Sequence, residues 1–378
     1  MGIEITKIDT RGGRRKFLEF AWSIYRDDKL WVPPIIGDQM KTVDPSRGLF
    51  FNRGEAELFL ATRNGRPVGR ICAAEDPPTN EKRGRSDCLF GFFECIDDAD
   101  VAKALFDRVA EWASVRGLEN LFGPFNLDYE NSYGVLIEKR DRPAAILCGH
   151  SPTYYQRLFD EYGFEKARGD NLAFAASILP EENASLHRLG RLAEIARKRG
   201  NISVRGIDLS RFEEEVDCIH ALMIPSLAHL PGSVPWRRDV LQRAMSPFLK
   251  FADPDLVLFA VVDGVNVGWF PGLPNLNETL IHCNGLRRPW NYLSLLRRAR
   301  RQPESIAVKA VVVLPEYWKT GVAIMLFHEM AERGRAKGFR WVDLSLTAED
   351  NPQTPLIAER LGATMYKRYR TYQKRLTG

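Results

Sequence analysis

The sequence predicts an α/β chain, of the α+β kind, built as two tandem domains, each with a mixed, mostly antiparallel central sheet flanked by helices. Three observations predict it. The chain has 378 residues, more than one hydrophobic core usually organises. Sequence landmarks recur at a constant offset. The order of strand, helix and hairpin signals also runs through the chain twice.

The offset is the strongest of the three, because internal repeats set the whole architecture. Ile8-Asp9 returns as Ile207-Asp208, and 207 − 8 = 199. Asn64-Gly65 returns as Asp263-Gly264, and 263 − 64 = 199. The glycine of Tyr162-Gly163-Phe164 returns in Leu361-Gly362-Ala363, and 362 − 163 = 199. The predicted boundaries are a first domain over 1–179, a charged helical bridge over 180–200 and a second domain over 201–378.

Each copy opens with a strand and a helix. Ile3, Ile5 and Ile8 mark the first strand, and Arg14–Tyr25 places Phe17, Phe20, Ala21 and Ile24 on one helical face. The second copy has a strand over Ile202–Ile207 and a helix over Ser210–Met223, with Ser210 and Glu213 spaced as a capping box. Hairpins follow at 57–73 and 256–271, where apolar runs flank Asn-Gly and Asp-Gly. Both turn residues there need positive φ, which these residue types tolerate.

Later elements of the first copy are a strand near Leu89–Cys95, a helix near Asp98–Arg116 and a strand near Asn120–Phe122. Those of the second are Ala307–Leu314, Val322–Lys337 and Trp341–Leu346, then a helix over Gln353–Leu361 and a last strand over Thr364–Gln373. Insertions at Asn277–Gln302 and Leu127–His150 nearly cancel, which restores the offset.

Composition excludes several classes. Six cysteines without a CxxC pair argue for a reducing compartment and against a structural metal. The N-terminus lacks an apolar signal core and no apolar run reaches a membrane-spanning length, so the expected location is cytoplasmic. The net charge of +5 favours anionic ligands weakly. The densest basic stretch, Arg287, Arg288, Arg297, Arg298, Arg300 and Arg301, reads first as a solvated helix face and only second as a phosphate or nucleic-acid patch.

The richest segment is Val311-Val-Val-Leu-Pro-Glu-Tyr-Trp-Lys-Thr-Gly-Val-Ala323, a strand passing through a short loop into a helix. Such a loop aims backbone N–H groups and a helix dipole at one point, where an anion binds. Together with Trp31–Pro34, Gly91–Glu94, Gly123–Asn126, Leu314–Trp318 and Leu361–Tyr372, it resembles the GNAT superfamily of acyl-CoA N-acyltransferases, in particular long bacterial proteins of that type. The resemblance implies acetyl-CoA or another acyl-CoA as co-substrate, no metal, and an amine or peptide acceptor.

By the same resemblance the diphosphate loop follows Arg/Gln-x-x-Gly-x-Gly/Ala. Gly321 and Ala323 match its last two positions, Trp318 replaces the Arg or Gln, and Lys319 replaces a usual glycine. Val311, Val313, Lys319, Thr320, Gly321, Val322, Ala323 and Asn351 are the implied CoA-binding residues. The side chains of Val311 and Val313 suit any buried strand equally, and Asn351 equally suits helix capping before Pro352. The first copy has Glu94, Asp97, Asp98 and Asp100 at the equivalent place, and these acids repel a diphosphate.

Catalytic groups are less legible. A tyrosine acid common in the superfamily is replaced by Ala358 and, in the first copy, Phe159. Glu278, His282 and Glu349 are the candidate bases, with Glu349 and His282 carried forward. Asn126, Glu130 and Asn131 are acceptor candidates on a loop rich in turn formers. The leading expectation is a CoA-dependent N-acyltransferase. A non-catalytic binding protein on a degenerate scaffold and a Fem-like aminoacyl or acyl transferase are the alternatives, and a nucleic-acid role is the weakest.

Overall fold

The computed structural model describes residues 2–127, 134–229, 236–309, 311–351 and 354–376. Its first half runs β1 (Glu4–Ile8), α1 (Arg11–Glu19), α2 (Ala21–Ile24), α3 (Ile36–Thr42), β2 (Glu55–Arg63), β3 (Arg66–Glu75), α4 (Pro77–Arg83), β4 (Asp87–Cys95), α5 (Ala99–Val115), β5 (Asn120–Gly123), β6 (Val135–Glu138), α6 (Tyr155–Tyr162), β7 (Glu165–Lys166) and β8 (Asn171–Ser177). Then come α7 (Ser185–Gly200), β9 (Ile202–Gly206), α8 (Phe212–Leu227), α9 (Arg238–Met245), β10 (Val257–Val262), β11 (Val265–Pro274), α10 (Asn277–Leu280) and α11 (Pro289–Arg298). The chain closes with β12 (Ser305–Val308), β13 (Val312–Val313), α12 (Val322–Ala336), β14 (Trp341–Ala348), α13 (Thr354–Arg360), β15 (Thr364–Arg370) and β16 (Tyr372–Arg375).

Both hairpins form as the sequence predicts. Asn64 and Gly65 have φ of 53° and 72°, and Asp263 and Gly264 have 48° and 82°. The likeness extends to a defect. The β2/β3 ladder shifts register between Ala61 and Thr62, and the β10/β11 ladder between Ala260 and Val261. A bulge kept at the same place in both copies marks a duplicated unit more specifically than pattern does.

Two local expectations are corrected. The helix expected over Arg14–Tyr25 breaks at Phe20, whose carbonyl receives the Ser23 hydroxyl at 2.6 Å. The capping box at Ser210 is absent. Asp208 instead accepts from the Ser210 N–H at 3.0 Å, and the helix begins at Phe212.

The order of the first sheet is β1-β2-β3-β4-β5-β16-β7. That of the second is β6-β15-β8-β14-β12-β11-β10-β9, with β13 beside β11. Pairing is antiparallel except at β4/β5 and β12/β14, so both sheets are mixed and mostly antiparallel. Each sheet takes strands from both halves of the chain. β6 and β8 enter the second sheet, whereas β16 crosses back between β5 and β7 of the first. The single last strand expected over Thr364–Gln373 is therefore two, divided at the fully buried Thr371.

Helices cover both faces of the second sheet. α7 and α12 share one core with Leu258, Val267, Phe270 and Ile306. α8 and α9 pack on the other face, over Val257, Phe259, Trp269 and Val312. In the first half, α5 and α6 close an aromatic core of Phe90, Phe93, Phe106, Phe159, Phe164 and Tyr372.

Candidate active site

The site starts from a failure of pairing. β12 and β14 run parallel and pair at Ser305/Trp341, Ile306/Val342 and Ala307/Asp343. Beyond those residues the chain of β12 stays on β11, to which β12 is already paired, and Val312 and Val313 pair with Trp269 and Gly268. β14 meanwhile continues along β8 as far as Ala348. Two parallel strands that part leave backbone groups facing a gap, the usual place for a ligand at the carboxyl ends of such strands.

α12 begins at the far end of one arm. Gly321, at φ 96°, forms its N-cap; among the described residues no side chain caps the helix, and no acid stands in its first turn. Its leading N–H groups are therefore left for an external anion. In the first half the corresponding helix, α5, is closed. The Asp98 carboxylate accepts from the N–H groups of Asp100 and Val101 at 3.0 and 3.2 Å.

The CoA-loop residues named from sequence come together around this helix start. Lys319 and Thr320 are exposed, with the Thr320 hydroxyl donating to the Tyr317 carbonyl at 2.8 Å. Val322 and Val313 are buried against the α12 core, and Ala323 and Val311 pack partly against it. The Trp318 indole donates to the Val313 carbonyl at 2.8 Å and meets the His229 ring edge-on, so it occupies one strand carbonyl of this arm. The Gly321 backbone is needed for packing as well. A Cβ there would lie 2.6 Å from that of Ala196 on α7.

Glu349 and Asn351 lie beyond β14, on the other arm and toward the same end of the sheet. Glu349 is fully engaged. Arg368 reaches its carboxylate at 2.6 Å, Lys166 at 3.0 Å and the Asp170 N–H at 3.2 Å. Arg368 and then Lys166 hold its pKa down at about 2, which makes it a weak proton acceptor at neutral pH. The Asn351 N–H donates to the Ala348 carbonyl. His282 is exposed just after α10, with Arg298 and Arg301 near it. Glu278, also weighed as a base, instead binds the N–H groups of Glu304 and Ser305. The Asn126 side-chain Oδ1 accepts from the Phe92 N–H at 2.6 Å and so supports a residue at φ 49°. Glu130 and Asn131 fall outside the described residues.

Several buried polar groups belong to no sequence motif and were not found by sequence reasoning. Lys309 stands where the strands part, and its ammonium donates to Cys148 Sγ at 3.4 Å. Burial raises the Cys148 thiol pKa. Burial and then the Asp343 carboxylate push the Tyr366 hydroxyl well up. One glycine beyond Cys148, His150 pairs through Nε2 with Asp28 at 2.7 Å, and its buried Nδ1 has no partner among the described residues. Burial lowers the imidazole pKa more than Asp28 raises it, so the ring is neutral at pH 7. An anionic Asp28 must receive a proton, which places it on Nε2 and leaves the Nδ1 lone pair free. Asp28 and His150 are 122 positions apart and belong to no motif, so no spacing in the sequence joins them.

An open cleft lies beside Lys309 on the α8/α9 face. Phe212, Met223, Trp236, Phe248 and Trp269 line it, and Lys309 is the single charged residue among its described lining. A cleft lined this way, apolar with one charged end, suits a hydrocarbon chain. Among the described residues no cluster of three or more His, Cys, Asp or Glu could hold a metal, and no helix is long and apolar enough to cross a membrane.

No family model matches the chain. Over 99% of its length it is 28% identical to a protein named bacterial ceramide synthase from Caulobacter vibrioides, covering 98% of that protein. It is 27% identical to the protein YghO of Escherichia coli, over 96% of this chain and 93% of that one. Among solved structures, a tandem GNAT protein from the clavulanic acid biosynthesis pathway aligns over 100% of this chain and 99% of its own, at TM-score 0.59 and 12% identity. A GCN5-related N-acetyltransferase from Sphaerobacter thermophilus aligns over 99% and 95%, at TM-score 0.53 and 15% identity. The fold of this chain is that of the GNAT N-acetyltransferases, present twice in tandem.

Proposed function

We propose that the chain transfers an acyl group from an acyl-CoA to an amine in its second half. The observation that carries this reading is a coincidence of two features. The strand parting ends where an uncapped helix begins, so a diphosphate at α12 would lead a thioester arm into the gap. Lys319, Thr320, Gly321, Val322 and Ala323 serve the diphosphate, Val311 and Val313 the arm, and Asn351 the opposite wall.

The amine nitrogen attacks the thioester carbonyl carbon, the C–N bond forms and the C–S bond breaks. The amine proton leaves through a base and the thiolate departs with CoA. His150, neutral and held by Asp28, suits the base better than Glu349 or His282. The loop bearing Asn126, Glu130 and Asn131 remains the proposed acceptor contact. The relative named ceramide synthase and the apolar cleft both favour a substrate with a long hydrocarbon chain, the acceptor being a long-chain amino alcohol. A non-catalytic binding role is the second reading, favoured by Trp318 on the Val313 carbonyl.

The test is amine-dependent release of free CoA, using acyl-CoAs from acetyl to stearoyl with a long-chain 2-amino alcohol, the amide being identified by mass spectrometry. No CoA release, with saturable acyl-CoA binding by calorimetry, would favour the second reading. No acyl-CoA binding at all would remove the transferase reading and leave the second. Gly321 is a poor site for a blocking variant, because any side chain there strains the backbone and strikes α7. Lys319→Glu with Thr320→Glu is cleaner, since both side chains are exposed, and it should weaken acyl-CoA binding about tenfold.

A further inference from the structure

α11 is turned inside out. A surface helix normally buries its apolar stripe and exposes its polar one. Here Asn291 is buried at 7% exposure, whereas Trp290, Tyr292, Leu293 and Leu296 are 62, 52, 61 and 66% exposed. Trp290, Leu293 and Leu296 are spaced three apart, which puts them along one side of the helix. The Asn291 side chain accepts from the Arg288 N–H at 3.0 Å, fixing that orientation.

The charge around the stripe is one-sided. Residues 281–303 contain six arginines and no acid. Arg287 is committed to the protein, pairing with Glu19 and lying 4.6 Å over the Trp22 ring. Among the described residues no carboxylate pairs with Arg288, Arg297, Arg298, Arg300 or Arg301.

We propose that α11 is a membrane-surface anchor that lies in the headgroup layer of an anionic bilayer. Leu293 and Leu296 enter the acyl boundary. Trp290 and Tyr292, apolar bodies with a polar edge, sit at the interface. The arginines meet lipid phosphates. A second copy of the chain fits poorly, because a two-fold contact on α11 brings arginines against arginines. The anchor stands apart from the acyltransferase proposal and is measured without any substrate.

The test is flotation of the purified full chain with phosphatidylcholine vesicles, neutral or carrying about 30% phosphatidylglycerol. Wild type should float with the anionic vesicles, bind the neutral ones about tenfold less, and be released at about 0.5 M salt. Trp290→Ser/Leu293→Ser/Leu296→Ser and Arg297→Glu/Arg300→Glu/Arg301→Glu should each lose binding about tenfold with an unchanged melting temperature, because these side chains are outside the core. Equal flotation of wild type and both variants, or none by wild type, overturns the proposal. So does a wild-type dimer in gel filtration that the serine variant makes monomeric, which would assign the face to a second copy.

Discussion

At the scale of single residues, two buried bases matter more than any motif. His150 carries an unpartnered nitrogen beside Asp28, with Arg140 and Lys367 near enough to oppose its protonation. Its depressed pKa keeps it unprotonated at neutral pH, so acyl transfer should fall only as pH drops below the usual histidine value near 6.5. His150→Gln should lower kcat about a hundredfold or more with little change in KM, and the acid limb of the pH profile should vanish. An unchanged profile would take the proton from another group.

Lys367 is the second case. It is fully buried, and its ammonium donates to the carbonyls of Lys139 and Arg142. Burial lowers its pKa from 10.5 to about 8. The unfolded chain therefore binds more protons between those two values, and its share of stability rises with pH across that window. Comparing melting of wild type and Lys367→Met from about pH 7 to 10 should show wild type gaining on the variant as pH rises.

At the scale of elements, the candidate site was legible in the sequence where backbone geometry makes it. The strand, loop and helix from Val311 to Ala323 fold as the sequence indicates, and the open start of α12 follows from a first turn without acids. The closed start of α5 was equally readable, since an aspartate at the helix N-cap is a strong local signal. Side-chain sites brought together by tertiary packing were not. Lys309 and Cys148 meet because the segment after β6 lies across the face of β12, where Ala145 and Ile146 pack on Ala307, and His150 meets Asp28 across 122 positions. The arginine-rich segment was legible as a basic helix. Its inverted burial was not, because pattern alone cannot say which face of a short helix meets the body.

At the scale of the whole molecule, the exchange of strands decides behaviour. β16 lies between β5 and β7, and its Tyr372 is 1% exposed in the aromatic core of the first half. Tyr372→Ala should cost about 3–5 kcal/mol, as for other large aromatics in cores. With each sheet holding strands from both halves, calorimetry should show one unfolding transition; two separated transitions would mean the halves are independent. The repeat offset announced the duplication. It could not announce the crossing, because the turn at Thr371 is one buried residue in an otherwise continuous strand pattern.

The same crossing bears on biosynthesis. A nascent chain emerges from the ribosome amino end first, at about 5–20 residues per second, and an amino-terminal domain can usually fold before the rest is made. In this protein the strand that completes the first sheet lies at residues 372–375. The open edge of β5, made within the first third of the chain, therefore has to wait until almost the last residues are added, exposed to mispairing with neighbouring polysomal chains.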